Sequence, residues 1–233
     1  MNPFQSFLAK LYDTFIVDDR WQYLTNGLKI TLLVTFFAAL LGIVLGFLTA
    51  IIRATHDKTG KLRFLNAIAK LYLTVIRGTP VLVQLMIIYF VIFASFNVSK
   101  VFVAVMAFGL NSGAYVAEIV RSGIMSIDNG QFEAGASLGL NYPKTMIYII
   151  LPQALRNILP ALANEVIVLL KETSVAGNIA LNDLTKGGDI IRSATYEAFL
   201  PLIAVALIYL ALVLVLSKLV TLLERRLAKS DQG

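Results

Sequence analysis

Residues 28–52 read LKITLLVTFFAALLGIVLGFLTAII, and Lys29 is the only charged side chain in this run. About twenty apolar residues in a helix are enough to cross the hydrocarbon core of a bilayer. The rest of the chain has the same bias, since 58% of its 233 residues are hydrophobic, only 15% are charged, and the mean hydropathy is +0.79. A soluble domain averages about half apolar and a quarter charged residues. The composition therefore predicts an all-α, polytopic membrane protein.

Four further spans are predicted from the apolar runs, which makes about five transmembrane helices. The third span, 101–124, carries polar residues in its second half, and a fourth starts near Pro160 and runs through Leu170 into a polar stretch. The fifth, 199–223, is the most apolar. An apolar run at 65–76 is too short to span alone and is predicted to be an interfacial elbow that leads into the second span, roughly 80–96. Residues 53–63 are predicted to be a charged turn, 126–159 a polar segment with Gly and Pro breaks, and 182–196 a polar loop.

The distribution of basic residues predicts the orientation of the chain. If 53–79, 121–159 and 217–233 lie on one side, that side holds 13 of the 20 Lys and Arg residues. An excess of Lys and Arg marks the cytoplasmic side, which places the N-terminus outside and the C-terminus inside. We therefore expect an extracytoplasmic segment, 1–26, a transmembrane domain, 27–226, with a cytoplasmic loop at 126–159, and a cytoplasmic tail, 227–233.

The N-terminal segment contains Phe4, Phe7, Leu8, Leu11 and Phe15 at helical spacing. Such a pattern predicts a short amphipathic helix, either on the membrane surface or docked against the rest of the protein.

Several classes of function find no support in the residues. The chain has no cysteine and one histidine, His56, in a basic loop, so no metal site is predicted. No nucleophile–base, zinc or phosphate-loop pattern occurs, so no catalytic residue and no bound cofactor are predicted. The net charge of +6 is explained by cytoplasmic Lys and Arg without any nucleic acid.

Polar residues within the predicted spans are candidates for a transport pathway, since ionisable groups in a membrane are costly. Asn111, Tyr115 and Glu118 share one face of the third span at i, i+4 and i+7, and Ser112 lies beside them. The fourth span ends in Lys171, Glu172, Thr173 and Ser174. An acidic group and a basic group could bind the two ends of a zwitterion. Pairing within the protein, Glu118 with Arg121 or Lys171 with Glu172, would explain the same residues as helix packing.

The cytoplasmic loop contains a short predicted helix at 131–140. Glu133 near its start suits the positive end of the helix dipole, and Gly139 is a typical helix terminator. A short exposed helix with small central residues fits a groove on a partner, although an ordinary loop helix would have the same sequence.

These motifs resemble the permease subunits of bacterial ABC importers, and specifically the polar amino-acid permeases of the histidine, glutamine and arginine type. The family's coupling loop is matched by Glu133, Ala134, Gly139, Ile149, Leu151 and Pro152. Gly135 stands where the family usually has a second alanine, and a glycine predicts slight fraying of the helix, at about 1 kcal/mol of helix propensity. Further matches, in chain order, are Asn26-Gly27-Leu28, Arg77-Gly78-Thr79-Pro80, Asn111-Ser112-Gly113-Ala114-Tyr115 and Leu170-Lys171-Glu172-Thr173-Ser174.

The resemblance implies a type I ABC importer permease fold in the bacterial plasma membrane. It implies a second permease subunit, identical or closely related, an extracytoplasmic amino-acid-binding protein, and an ATPase dimer that binds the ATP and Mg²⁺. The coupling residues would be Glu133, Ala134, Gly135, Gly139 and Leu140. The candidate pathway residues would be Asn111, Ser112, Tyr115, Glu118, Lys171, Glu172, Thr173 and Ser174.

Two other functions remain open from the residues. A secondary amino-acid transporter or channel would work without an ATPase, and inverted repeats would support it, but no clear internal repeat is seen. A membrane scaffold would not need the polar groups of the third and fourth spans.

Overall fold

Residues 2–229, the part that the computed structural model describes, fold mainly into helices, and no strand occurs among them. Met1 and residues 230–233, which belong to the predicted N-terminal segment and tail, lie outside the described residues. The helices are α1 (Pro3–Phe15), α2 (Trp21–Thr59), α3 (Arg63–Gly78), α4 (Val81–Ile87), α5 (Lys100–Met125), α6 (Asn129–Ser137), α7 (Tyr142–Thr145), α8 (Leu151–Glu172), α9 (Leu184–Thr195) and α10 (Phe199–Lys229). A π-helical turn, Ile88–Ile92, continues α4, another, Met146–Ile150, joins α7 to α8, and a 3₁₀ segment, Thr173–Ile179, follows α8.

Within residues 2–229, four helical stretches are long and apolar enough to cross a membrane. They are 17–57, 100–125, 142–179 and 199–227. The helices α3 and α4, with its π-helical continuation, form a fifth candidate that is bent by 111°. The bend occurs at Thr79 and Pro80. Thr79 is extended because the residue before a proline is disfavoured in the α region. The predicted all-α polytopic fold with about five spans is confirmed, and the elbow at 65–76 is the amphipathic helix α3.

The first predicted turn is shorter than expected. Residues 53–59 continue α2, and the chain turns at Gly60, which has φ +67°, and Leu62, which has φ +57°. The Arg, Ala and Lys residues within 53–59 have good helix propensity, so the polar character of this stretch does not end the helix.

The fourth span begins earlier in the chain than Pro160, its predicted start. Helix runs without a break from Tyr142 through Glu172, and Pro160 lies inside α8. Proline removes one backbone hydrogen bond, and a membrane helix tolerates this when its neighbours hold it in place. Ala154, Ile158 and Leu162 provide that support, since they are buried at i, i+4 and i+8 in a core with Val116 and Val120.

The predicted polar loop at 182–196 is mostly helix α9. The Asp183 side chain caps its start by accepting from the backbone N–H groups of Thr185 and Lys186, at 3.1 and 3.2 Å. Gly187 and Gly188 give the segment a loop-like composition, but both are buried in close contacts, Gly187 with the Tyr23 carbonyl. The need for close approach, rather than flexibility, explains these glycines.

The chain divides into two compact units, and each of α2, α5, α8 and α10 contributes to both. The first unit comprises 1–38, 80–108 and 168–216, and its core contains Leu24, Leu184, Ile191 and Val205. The end of α1 docks there through Phe15, whereas Phe4, Phe7 and Leu8 are exposed. The N-terminal helix therefore has one docked end and one exposed apolar face.

The second unit comprises 39–79, 109–167 and 217–233. Here α2 packs on α5 through Gly42 and Gly46, which lie against Ser112 and Val116 without room for a Cβ atom. The GxxxG pair is thus a helix contact, as small residues at membrane helix interfaces allow.

Candidate functional site

The polar face of α5 divides into a buried half and an open half, both within the second unit. Asn111 and Ser112 are only 2% and 1% exposed. The Ser112 hydroxyl donates a hydrogen bond of 2.9 Å to the Glu165 carboxylate of α8, which is itself buried. A buried carboxylate requires such a donor. This half of the face holds α5 against α8.

The open half contains Tyr115 and Glu118. The Glu118 carboxylate accepts from Arg121 at 2.8 Å and from Arg77 of α3 at 3.5 Å. The Arg77 guanidinium also lies 5.8 Å from the centre of the Tyr115 ring, within the usual range of a cation–π contact. Tyr115 and Glu118 remain partly accessible. A carboxylate shared by two guanidinium groups and open to solvent can exchange one partner for the ammonium group of a ligand.

Residues 171–174 belong to the first unit. Lys171 is exposed, and Thr173 is buried and donates to the Leu170 carbonyl at 2.7 Å. Ser174 lines a cleft of about 450 Å³ together with Thr185, Lys186, Asp189 and Arg192. Among the candidate pathway residues, Tyr115 and Glu118 thus lie on the open half of a helix face in the second unit, and Ser174 lies at a polar cleft of the first unit.

The carboxylates beside that cleft titrate differently. Burial raises the pKa of Asp183 above its usual range, although the backbone N–H groups of Lys186 and Thr185 act against this effect. Hydrogen bonds from Lys186 and Arg192 lower the pKa of Asp189. Asp189 is therefore the ionised partner of both cations.

The predicted coupling segment is a helical hairpin of α6 and α7. The Phe132 ring stacks on Tyr142 with ring centres 6.4 Å apart. Gly135 is buried against Thr145, and a Cβ atom at this position would lie 2.6 Å from Thr145 Cγ2. Gly135 predicts slight fraying of the helix. In the structure α6 extends from Asn129 to Ser137, and the missing side chain of Gly135 allows the close contact with Thr145.

The ends of α6 differ in part from the expectation. Gly139 has φ +74°, and the N–H groups of Gly139 and Leu140 donate to the carbonyls of Ala136 and Gly135, which completes a Schellman motif. At the start, Asp128 is the cap, and Glu133 lies beyond the first turn, where the helix dipole has little effect on it. Glu133, Ala134 and Leu138 are exposed, the last at 76%. The hairpin thus presents an outer face that other parts of the described chain do not cover.

Four charged residues that the sequence does not assign to the site lie beside candidate site residues in the structure. They are Arg77, Lys186, Asp189 and Arg192. The sequence assigns Arg77 only to the Arg77-Gly78-Thr79-Pro80 match and not to the candidate pathway, yet it contacts both Tyr115 and Glu118. Lys186, Asp189 and Arg192 were placed in a loop, although their i, i+3 spacing of opposite charges is a helix signal.

Comparison with known proteins agrees with these features. Residues 42–229 match the family of binding-protein-dependent transport system inner membrane components. The chain is 40% identical over 211 residues to the arginine transport system permease protein ArtQ of Bacillus subtilis, covering 90% of this chain and 94% of ArtQ. It is 38% identical to a putative glutamine transport system permease protein, GlnP, of Rickettsia typhi, covering 95% and 97% of the two chains.

A solved structure has the same fold as this chain. A chain of an amino acid ABC transporter crystallised with histidines matches with a TM-score of 0.81 and 42% identity, over 91% of this chain and 98% of that one. The fold is therefore that of a type I ABC importer permease, and this chain belongs to the family of binding-protein-dependent transport system inner membrane components, the permease subunits of ABC importers, with amino-acid permeases among its relatives.

Proposed function

We propose that this chain is a permease subunit that moves polar amino acids into the cytoplasm by alternating access, driven by a separate ATPase that contacts the α6–α7 hairpin. The observation that carries this proposal is the construction of the hairpin. Its inner face is fixed by the Phe132–Tyr142 stack and the Gly135–Thr145 contact, whereas its outer face, with Glu133 and Ala134, is exposed.

A rigid hairpin can transmit a displacement to the helices that follow it. The π-helical turn joins α7 directly to α8, and the Gln153 amide of α8 donates back to the Gln131 side chain of α6 at 3.3 Å. Farther along α8, Glu165 is hydrogen-bonded to Ser112 of α5. A push on α6 would therefore move α8 and, through it, the helix that carries Tyr115 and Glu118.

The partners follow from this mechanism. Two ATPase subunits would bind ATP and Mg²⁺, and this chain would bind neither. A second permease subunit, identical or closely related, would complete the pathway, and an extracytoplasmic binding protein would deliver the amino acid. The protein would lie in the bacterial plasma membrane with its N-terminus outside and its C-terminus in the cytoplasm.

The pathway residues would interact with the charged ends of the amino acid. Glu118 would accept the ammonium group in exchange for Arg77, its longer ion-pair contact. Asn111, Ser112 and Tyr115 would shape the same helix face. Lys171, Glu172, Thr173 and Ser174 would act at the polar cleft of the first unit. The relatives carry names for arginine and glutamine transport, which supports a polar substrate for this chain.

The coupling role is tested with Glu133→Arg in proteoliposomes that contain this chain, its ATPase and the binding protein. We expect the variant to insert normally but to lose most of the uptake driven by ATP, because a cation replaces an exposed carboxylate on the outer face of the hairpin. Glu224→Arg, the same change at an exposed position of α10, is the control and should retain uptake. Normal uptake by Glu133→Arg, or amino-acid flux through the chain without any ATPase, would refute the proposal.

A further inference from the structure

A cleft in the second unit is lined by three cationic side chains, and none of the described residues of its wall is acidic. Its volume is about 430 Å³, and Arg53, Lys70 and Arg77 line it together with Leu73, Thr74 and Gly78. The candidate pathway uses only Arg77 of these residues. We propose that this cleft binds the phosphate headgroup of an anionic phospholipid.

The cations of the cleft are only partly neutralised by the protein. Among the residues that the structure describes, neither Arg53 nor Lys70 has an ion pair, and the buried Nε of Arg53 has no hydrogen-bond partner. Glu118 is the carboxylate that interacts with Arg53, Arg77 and Arg121, and its shortest contact is with Arg121. Asp57 interacts with Arg121 as well. Of the three cations among the described residues that line the cleft, only Arg77 forms an ion pair, with Glu118, and an anion would balance the remaining positive charge.

The donors suit a phosphate group. A guanidinium presents several N–H donors in a plane, and a phosphate accepts two of them at once. Lys70 adds a mobile ammonium group on an exposed side chain. The Thr74 hydroxyl adds a neutral donor at the wall of the cleft.

The surface of α3 identifies the anion as a lipid. A stripe of strongly exposed apolar side chains runs along this helix, consisting of Phe64 at 78%, Leu65 at 43%, Ile68 at 49%, Leu71 at 65% and Val75 at 50% exposure. A helix with one such face and a basic face lies in the membrane interface. Lys70 is adjacent in sequence to Leu71 on the same helix, so one lipid can place its acyl chains along the stripe and its phosphate in the cleft. Basic pockets beside membrane helices bind acidic headgroups by the same arrangement.

The experiment measures lipid retention by the full chain in detergent, using native mass spectrometry during titration with dioleoylphosphatidylglycerol or dioleoylphosphatidylcholine. We expect saturable binding of the anionic lipid and little of the zwitterionic one. The double variant Arg53→Gln/Lys70→Gln should bind phosphatidylglycerol about thirtyfold more weakly, since each basic residue near an anionic lipid contributes about fivefold.

The matched control removes two other charges near the same helix. Lys61 precedes α3 and Arg63 is its first residue, so both lie outside the cleft. Because solvent screens such exposed charges, Lys61→Gln/Arg63→Gln should change the affinity by less than about threefold. Lys70→Gln alone, at an exposed position, guards against misfolding of the double variant and should weaken binding about fivefold.

Four results would overturn the proposal. Equal binding of the two lipids, or an equal loss in the control variant, would mean that general surface charge attracts the lipid. Displacement of phosphatidylglycerol by millimolar inorganic phosphate would make the cleft a site for a soluble anion. Displacement by free arginine or glutamine would assign it to the substrate pathway. Because no transport is measured, these outcomes do not depend on the proposed coupling to an ATPase.

Discussion

Gly135 is the residue at which this chain departs from the coupling loop it otherwise matches, and its surroundings explain the departure. Its Cα faces the buried Thr145 side chain, which a Cβ atom would approach to 2.6 Å. Gly135 and Thr145 are therefore a matched pair of a small and a larger residue.

We expect Gly135→Ala to destabilise the hairpin by about 1–3 kcal/mol, the usual cost of overpacking. Thr145→Ala in the same chain should recover much of this loss, because it removes both atoms nearest to the new methyl group. Thermal unfolding of the wild type, both single variants and the double variant measures the coupling energy. Additive effects in this cycle would show that the two residues do not pack as a pair.

A variant of Glu118 can show whether the open half of the α5 face is a transport pathway or only a packing contact. Glu118→Gln removes the charge that Arg77 and Arg121 share. We expect the KM for amino-acid uptake to rise about tenfold or more, as loss of a charged hydrogen bond to a ligand does. Assembly with the ATPase, measured by size-exclusion chromatography, should not change. Impaired assembly with an unchanged KM in the remaining complex would assign Glu118 to helix packing.

At the scale of single elements, helix α9 depends on a buried acidic cap. Asp183 is only 1% exposed and accepts from two backbone N–H groups at the start of the helix. Burial raises its pKa above the ordinary value of 3.8, so protonation favours the folded state. This contribution to stability is present at low pH and is lost as the pH rises through the raised pKa of the folded protein.

Asp183→Asn should therefore flatten the dependence of thermal stability on pH in the range above 3.8, because asparagine still caps the helix but does not ionise. The effect is measured by thermal unfolding of the full chain in detergent between pH 4 and 7. This is about the range in which a raised carboxyl pKa titrates. Asp189→Asn is the control, since Lys186 and Arg192 lower the pKa of Asp189 and its stabilising contribution is lost only below 3.8. A wild-type slope retained in Asp183→Asn would contradict this role of the cap.

At the scale of the whole molecule, the proposed orientation in the membrane follows from the charge distribution and can be measured with little perturbation. The chain has no cysteine, so a single introduced thiol is the only one that a maleimide can label. We expect Lys10→Cys and Asn182→Cys to react with an impermeant maleimide in intact cells. Lys61→Cys and Lys144→Cys should react only after permeabilisation. All four positions are exposed, and labelling in the opposite pattern would invert the proposed topology.

The sequence by itself determined the class of fold, the bent elbow and the short helix within residues 126–159. Each of these depends on local properties: apolar length, a proline that disfavours helix in the residue before it, and a glycine in the left-handed region at the end of α6. The motifs that resemble amino-acid permeases were likewise sufficient to identify the family, because they are local in sequence and occur in order.

Only the tertiary structure decided where polar or Gly- and Pro-containing segments stay helical and which charges meet. Pro160 lies within α8 because Ala154, Ile158 and Leu162 pack into a core. Gly187 lies within α9 because its surface is pressed against the Tyr23 carbonyl. Arg77 meets Glu118 across 41 residues of sequence, a contact that no local pattern contains. Packing between distant segments outweighs local propensity at these positions, and such packing has no signature in the residues that are adjacent along the chain.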